Sequence, residues 1–308
     1  MRSTFINTLV KSAENDDRIV LITPDLGFSV LEEFAHRFPD RFINIGIAES
    51  NAVGVASGLA LSGKIVYVYS IIPFVTMRPF EQIRVDVAYM NLNVRLVGVG
   101  AGLSYGPAGA THHAIEDISV MRSLPNMTVI SPCDPWEVEQ CIIDSTRHQG
   151  PMYIRLAKNG EPVVNKSESS FTIGKANILS KSNEGDILIL FTGNACDIAI
   201  QTAEILNQTG KKSTLASIHS IKPFDSLFLN DALKSMKYIF TIEEHSLIGG
   251  LGSTVAEIIA ESKYNPVFKK FSLPDSFTHI VGNANFLRNK LGLTSERISQ
   301  QILEIINE

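Results

Sequence analysis

Short, unbroken apolar runs alternate with helical patterns along the whole chain, and this rhythm constrains its fold more than any other feature. The runs fall at 19–23, 64–69, 94–99, 127–131 and 152–156, and again at 186–192, 212–218, 238–243 and 267–272. They are β-branched and continuous, without apolar–polar alternation, which is how a strand reads when helices cover both of its faces. Helical stretches lie between them, at 50–61, 79–90, 135–148, 195–207 and 254–261. Such alternation predicts an α/β chain of parallel strands joined by crossover helices. At 308 residues the chain has room for two such units. The polar segment NGEPVVNKSESS follows the last strand of the first half and marks the boundary. We therefore expect two domains, 1–165 and 176–308, each a mostly parallel sheet flanked by helices, with 166–175 as linker.

Composition removes several function classes. Twenty-seven Lys and Arg stand against 32 Asp and Glu, for a net charge of −5, and no basic stripe stands out, so a nucleic-acid partner is not expected. The longest apolar stretches fall short of the roughly 20 residues a membrane helix needs. The N-terminus MRSTFINTLVKSAENDD lacks the apolar core of a signal peptide. Cys133, Cys141 and Cys196 match neither a metal spacing nor a disulfide framework, and no metal site is expected on this chain. Together these features suit a reducing, cytoplasmic setting.

Three segments carry candidate chemistry. In INIGIAESNAVGVASGLALSG (43–63), small residues crowd a helix that must pack closely against something, and Glu49 stands near its start. A first-turn acid commonly does no more than complement the helix N-terminus, so that reading stands beside a functional carboxyl. In VRLVGVGAGLSYGPAGATHHAIEDI (94–118), five glycines precede His112 and His113. Neither a dinucleotide nor a P-loop pattern is present. Adjacent histidines point apart, which argues against a shared metal; one facing a cleft and the other solvent is the expectation. In YSIIPFVTMRPFEQIRVD (69–86), Phe74, Arg78 and Phe80 follow a strand's carboxyl end, where ligands collect in parallel sheets. Core packing is the preferred reading for Phe80. In the second half, TIEEHSLIGGLGSTVAE opens a helix with three glycines; tight strand–helix packing is favoured there over an anion site.

Taken together, these segments resemble the transketolase family of thiamine-diphosphate enzymes. The strings TPDLG (23–27), GIAESNAVGVASGLA (46–60), RPFEQIR (78–84) and GATHHAIEDISVMRSLPNMTVISPCD (109–134) carry the resemblance to the family's pyrimidine-binding domain. SIKPFD (220–225) and EEHSLIGGLGS (243–253) carry the resemblance to its C-terminal domain. The family's diphosphate and Mg2+ site requires a GDG motif, and this chain has none. The resemblance therefore implies the second subunit of a split transketolase. Thiamine diphosphate would be shared with an N-terminal subunit that carries the GDG motif and holds Mg2+. It also implies an α2β2 assembly and a sugar substrate.

By the same resemblance Glu49 is the carboxyl that meets N1′ of the aminopyrimidine, in an apolar setting that keeps it protonated. Phe74 is the aromatic wall against that ring, and Asp25 joins the cofactor site through TPDLG. His112 contacts the substrate near its reacting end, while Arg2 and Ser29 help to hold an acceptor's phosphate. Arg78 is also assigned to the substrate. Where transketolases carry a second histidine and an aspartate, this chain has Gly100 and Ala108, and the family's phosphate-binding arginine is Lys158. His113 is expected to replace one lost contact. Fewer paired hydrogen bonds to an ordinary sugar phosphate imply a non-housekeeping sugar. A deoxyxylulose-phosphate-synthase-like enzyme using pyruvate, a 2-oxoacid dehydrogenase β subunit and a non-catalytic scaffold remain as alternatives.

Overall fold

A computed structural model describes residues 1–158, 160–165, 170–182 and 185–308. Within them, the first sheet contains β1 (Ile19–Thr23), β2 (Phe42–Asn44), β3 (Ile65–Ile71), β4 (Val94–Val99), β5 (Thr128–Ile130) and β6 (Met152–Leu156). The second contains β7 (Asn177–Ser180), β8 (Ile187–Phe191), β9 (Ser213–Ser217), β11 (Tyr238–Ser246) and β12 (Val267–Leu273). One short strand, β10 (Ser220–Lys222), leaves the second half and pairs antiparallel with β5, completing a seven-stranded order β10-β5-β6-β4-β3-β1-β2. The five-stranded order is β12-β11-β8-β9-β7, with β7 the antiparallel edge. Every other pairing in both sheets is parallel, so each sheet is mostly parallel, as the continuous apolar runs imply.

Both faces of the first sheet are covered, and successive residues of one strand serve opposite layers. Val20 and Ile22 of β1 pack with Val66 and Val68 of β3 and with Ala52 and Ala56 of the helix Glu49–Leu61. Ile19 and Leu21 turn the other way, onto Phe5 and Leu9 of the N-terminal helix Arg2–Ala13. Burying each such side chain contributes roughly 1.5–3 kcal/mol, which holds the strand ends in fixed register. β1 pairs with β2 on one side and β3 on the other, so the direction of winding reverses there. A crevice at the strands' carboxyl ends is the usual consequence.

One expectation needs correction. The helix expected over 79–90 is instead a single turn at Phe80–Gln82 followed by π-helical turns at Ile83–Tyr89. Positions 166–169 of the expected linker lie outside the described residues; beyond them Phe171 stacks on His219 at 4.3 Å and the Gly174 N–H donates to Ser220 Oγ. No helix among the described residues is long and apolar enough to cross a membrane.

Candidate active site

Five of the first sheet's carboxyl ends supply the candidate residues. Asp25 and Ser29 follow β1, Glu49 follows β2, Phe74 and Arg78 follow β3, the glycine-rich loop follows β4, and Lys158 follows β6. Arg2, at the first turn of the N-terminal helix, reaches the same edge.

Most of these side chains form one continuous row. Glu49 opens its helix with no side-chain cap before it and is only 5% exposed. Arg78 Nη1 donates to Glu49 Oε1 at 2.8 Å, and the guanidinium carbon lies 3.9 Å from the centre of the Phe74 ring. The Phe74 ring meets the His112 imidazole edge-on at 5.1 Å, and His112 in turn faces Tyr105 at 6.1 Å. Lys158 Nζ rests 4.5 Å over the Tyr105 ring, and Arg2 Nε donates to the Lys158 carbonyl at 2.7 Å. The row runs from a buried carboxyl, past an aromatic face and an imidazole, to two cations. Burial pushes the Tyr105 phenol up from its ordinary value, with Arg2 pulling the other way.

Several expectations change on this geometry. Glu49 is buried, but its setting is not purely apolar, because Arg78 pairs with it. Arg78, assigned to the substrate by the resemblance, is engaged here by Glu49 and the Phe74 ring. His113 does not face solvent: it is 4% exposed, and its Nε2 lies 3.3 Å from the Gly106 carbonyl beneath the loop. It stands outside the row. Asp25 and Ser29 stand apart on the exposed turn after β1. Asp25 Oδ1 accepts from Asn44 Nδ2 at 2.9 Å, and the Ser29 N–H donates to Glu32 Oε1 at 2.6 Å. Phe80 packs against the core, as preferred.

Residues 1–161 match the family model of the transketolase pyrimidine binding domain, and 174–298 match that of the transketolase C-terminal domain. The chain belongs to the transketolase family. It is 36% identical to the 6-deoxy-6-sulfo-D-fructose transketolase subunit SqwH of Clostridium sp. strain MSTE9, over 99% of this chain and 94% of that one. It is also 36% identical to an apulose-4-phosphate transketolase subunit of Phocaeicola vulgatus, over 100% of this chain and 97% of that one. A solved structure described as a split-gene transketolase in an inactive beta4 tetramer superposes with a TM-score of 0.88 at 34% identity. That match covers 98% of this chain and 96% of the other.

Sequence reasoning passed over Tyr105. This transketolase-family chain has Gly100 at φ +95°, and a side chain there would overlap the Tyr105 ring. The phenol thus fills the space vacated by a glycine, and the only signal for it was an aromatic residue inside a glycine-rich loop. The glycine-opened helix of the second half is an anion site of a kind, filled from within. Both Glu243 carboxylate oxygens accept backbone N–H groups of its first turn. Among the described residues no group of three or more His, Cys, Asp or Glu is placed to hold a metal ion, and all three cysteines are buried and free.

Proposed function

We propose that this chain is the C-terminal subunit of a two-chain, thiamine-diphosphate-dependent ketol transferase, working in the cytoplasm with an N-terminal subunit that carries the GDG motif and holds Mg2+. The observation that carries the reading is the row from Glu49 through Arg78, Phe74, His112, Tyr105 and Lys158 to Arg2, in a chain with no GDG. The Arg78 guanidinium supports the fit to the cofactor. It is planar, lies on the Phe74 ring and donates to Glu49, which is what an aminopyrimidine held at this place would do. Its side chain is 47% exposed.

When bound, thiamine diphosphate supplies the carbon nucleophile that takes a two-carbon unit from a ketose. Glu49 would hold a proton at N1′ of the aminopyrimidine, and Phe74 would back the ring. His112 and Tyr105 would face the sugar, with Lys158 and Arg2 toward its anionic end. Asp25 and Ser29, on their exposed turn, need the partner or the substrate to bring them in.

Unsatisfied surface supports the assembly. Phe28 and Ile47 are 75% and 79% exposed near this edge, and nothing lies within 4 Å of where side chains at Gly54 and Gly58 would stand. A partner subunit seated there, with two-fold pairing of the result, gives α2β2. On the substrate, Tyr105 in place of a polar reader at position 100, Ala108, and Lys158 without an arginine's fork all weaken recognition of an ordinary sugar phosphate. The relatives named for sulfofructose and apulose phosphate support a non-housekeeping sugar here too.

Calorimetry tests the assembly directly. With Mg2+ and thiamine diphosphate the chain alone should give no measurable binding, and adding the GDG-containing subunit should restore both binding and ketol transfer. Micromolar binding by the chain alone would overturn the split-site reading. Xylulose 5-phosphate with ribose 5-phosphate should run about tenfold or more below the best sugar pair. Housekeeping efficiency on that pair would place the missing contacts on the partner.

A further inference from the structure

The second domain reaches into the candidate site through one buried carboxylate. The loop between Gly102 and Ala114 is closed at its neck by a two-way backbone pairing of those two residues. Glu244, at the carboxyl end of β11 in the other domain, sits in that neck. Its Oε1 accepts from the Leu103 N–H at 2.6 Å and from Asn194 Nδ2 at 2.8 Å, and its Oε2 accepts from Arg288 Nε. Asn194 Nδ2 also donates to the Ala101 carbonyl, so two side chains of the second domain hold consecutive parts of the first domain's loop. Gly102, at φ +59°, is required here because any side chain would run into the Glu244 carboxylate.

The neck is braced from below as well. Arg155 bonds the Ala114 and Glu244 carbonyls and pairs with Asp117, all of them buried. At the far bend Gly106 lies against the Gly282 carbonyl and Leu287. The segment so held carries Tyr105 and His112, the two rings at the middle of the row. Glu244 is 1% exposed and its carboxylate bonds Leu103, Asn194 and Arg288, none of them in the row, so its effect on chemistry has to pass through the loop.

We infer that Glu244, with Asn194, is a positioning residue for the substrate-facing loop, and that holding this loop is what the C-terminal domain contributes to the site. The inference deepens the proposed function and rests on it for the sugar, but the clamp itself does not depend on that reading. A buried carboxylate with three donors orders its partners because any alternative leaves charged or polar groups unpaired.

The test uses Glu244→Gln, whose amide turns one of the two acceptor oxygens into a donor that must face either Arg288 or the Leu103 and Asn194 donors, and Asn194→Ala, which keeps the carboxylate. In the chain alone, backbone hydrogen exchange over 101–113 should rise about tenfold or more in both variants, with exchange in β3 and β8 unchanged. In the reconstituted complex the KM for the sugar should rise about tenfold, while thiamine diphosphate affinity stays within about twofold, since Glu49 and Phe74 stand on other strands. Glu244→Asp, which shortens the reach but keeps the charge, should fall between wild type and Gln. Unchanged exchange over 101–113 in the Gln and Ala variants would overturn the clamp whatever the enzyme's activity. Faster loop exchange with an unchanged sugar KM would overturn its positioning role. A wild-type complex with no transferase activity would instead bring down the proposed function and leave the exchange result standing.

Discussion

Two acidic residues near helix starts, one in each half, show how differently a fold can use a carboxylate. Glu243 precedes the helix Leu251–Glu261, and its two oxygens accept the Leu251 and Gly252 N–H groups at 2.8 Å or less. Those donors belong to the backbone and to the helix dipole, so nothing short of unfolding the turn removes them. Glu49 opens the helix Glu49–Leu61, is about as buried, and pairs with a half-exposed side chain. One carboxylate is closed into the architecture; the other is held by a half-exposed side chain. A buried acid whose partner is replaceable is a candidate for chemistry, and one whose partners are backbone is a structural element.

Exchanging the two acids should break the comparison cleanly. In the reconstituted complex, Glu49→Gln should slow ketol transfer, and hydrogen–deuterium exchange at the cofactor's C2, beyond the ~10²–10⁴ typical of a single acid–base group. The chain's melting temperature should move by only about a degree or two. Near-normal exchange would remove Glu49 from its role. Glu243→Ala should behave in the opposite sense, leaving two buried N–H groups without acceptors. Each costs roughly 1–3 kcal/mol, so thermal unfolding should come several degrees earlier, beginning in the second domain. A stable Glu243→Ala chain would show that water reaches the turn and that the two acids are not so different.

Arg78 sharpens the comparison with a smaller effect. A half-exposed ion pair contributes under about 1 kcal/mol, so Arg78→Ala should leave the melting temperature nearly unchanged. Thiamine diphosphate affinity in the complex should be unchanged or tighter, because the guanidinium no longer competes for Glu49 and Phe74. Affinity about tenfold weaker would make Arg78 a holder of the cofactor and not its stand-in.

Strands buried on both faces were legible because continuous apolar runs have few other uses; β1, β4 and β6 lie where the runs predict them. The short strands β2, β7 and β10 were not, since three or four residues carry no period and two of them are antiparallel edges paired by tertiary context. The helix over 79–90 has helical periodicity, but nothing local shows that its second part widens to π-helical turns. At the site, residue types were readable and neighbours were not. Glu49, Phe74 and His112 could be singled out from motifs, whereas the Arg78–Glu49 pair spans 29 positions and Glu244 reaches Leu103 across 141. Tyr105 became visible only once Gly100 was seen to leave it room.

His113 gives the finest test, because the resemblance sets it beside His112 at the substrate while the fold buries it against the Gly106 carbonyl. Burial holds its imidazole below the ordinary value, opposed by the Gly106 carbonyl and by Glu244. In the unfolded chain a histidine takes up its proton near pH 6.5. Folded His113 takes it up only at lower pH, so between the two values the unfolded state binds more protons and stability falls as pH falls. The contribution is therefore present above about pH 6.5 and lost on acidification through that window. His148 acts in the same direction through burial and Arg95. Glu116, raised by burial, acts against both. Comparing wild type with His113→Gln cancels these other groups. Urea unfolding at pH 7.5 and 5.5 should show a larger loss on acidification for wild type than for His113→Gln. The variant's sugar KM should stay within about twofold, since the ring is 4% exposed. Equal losses with a raised KM would return His113 to the substrate and require the loop to turn over in the assembled enzyme.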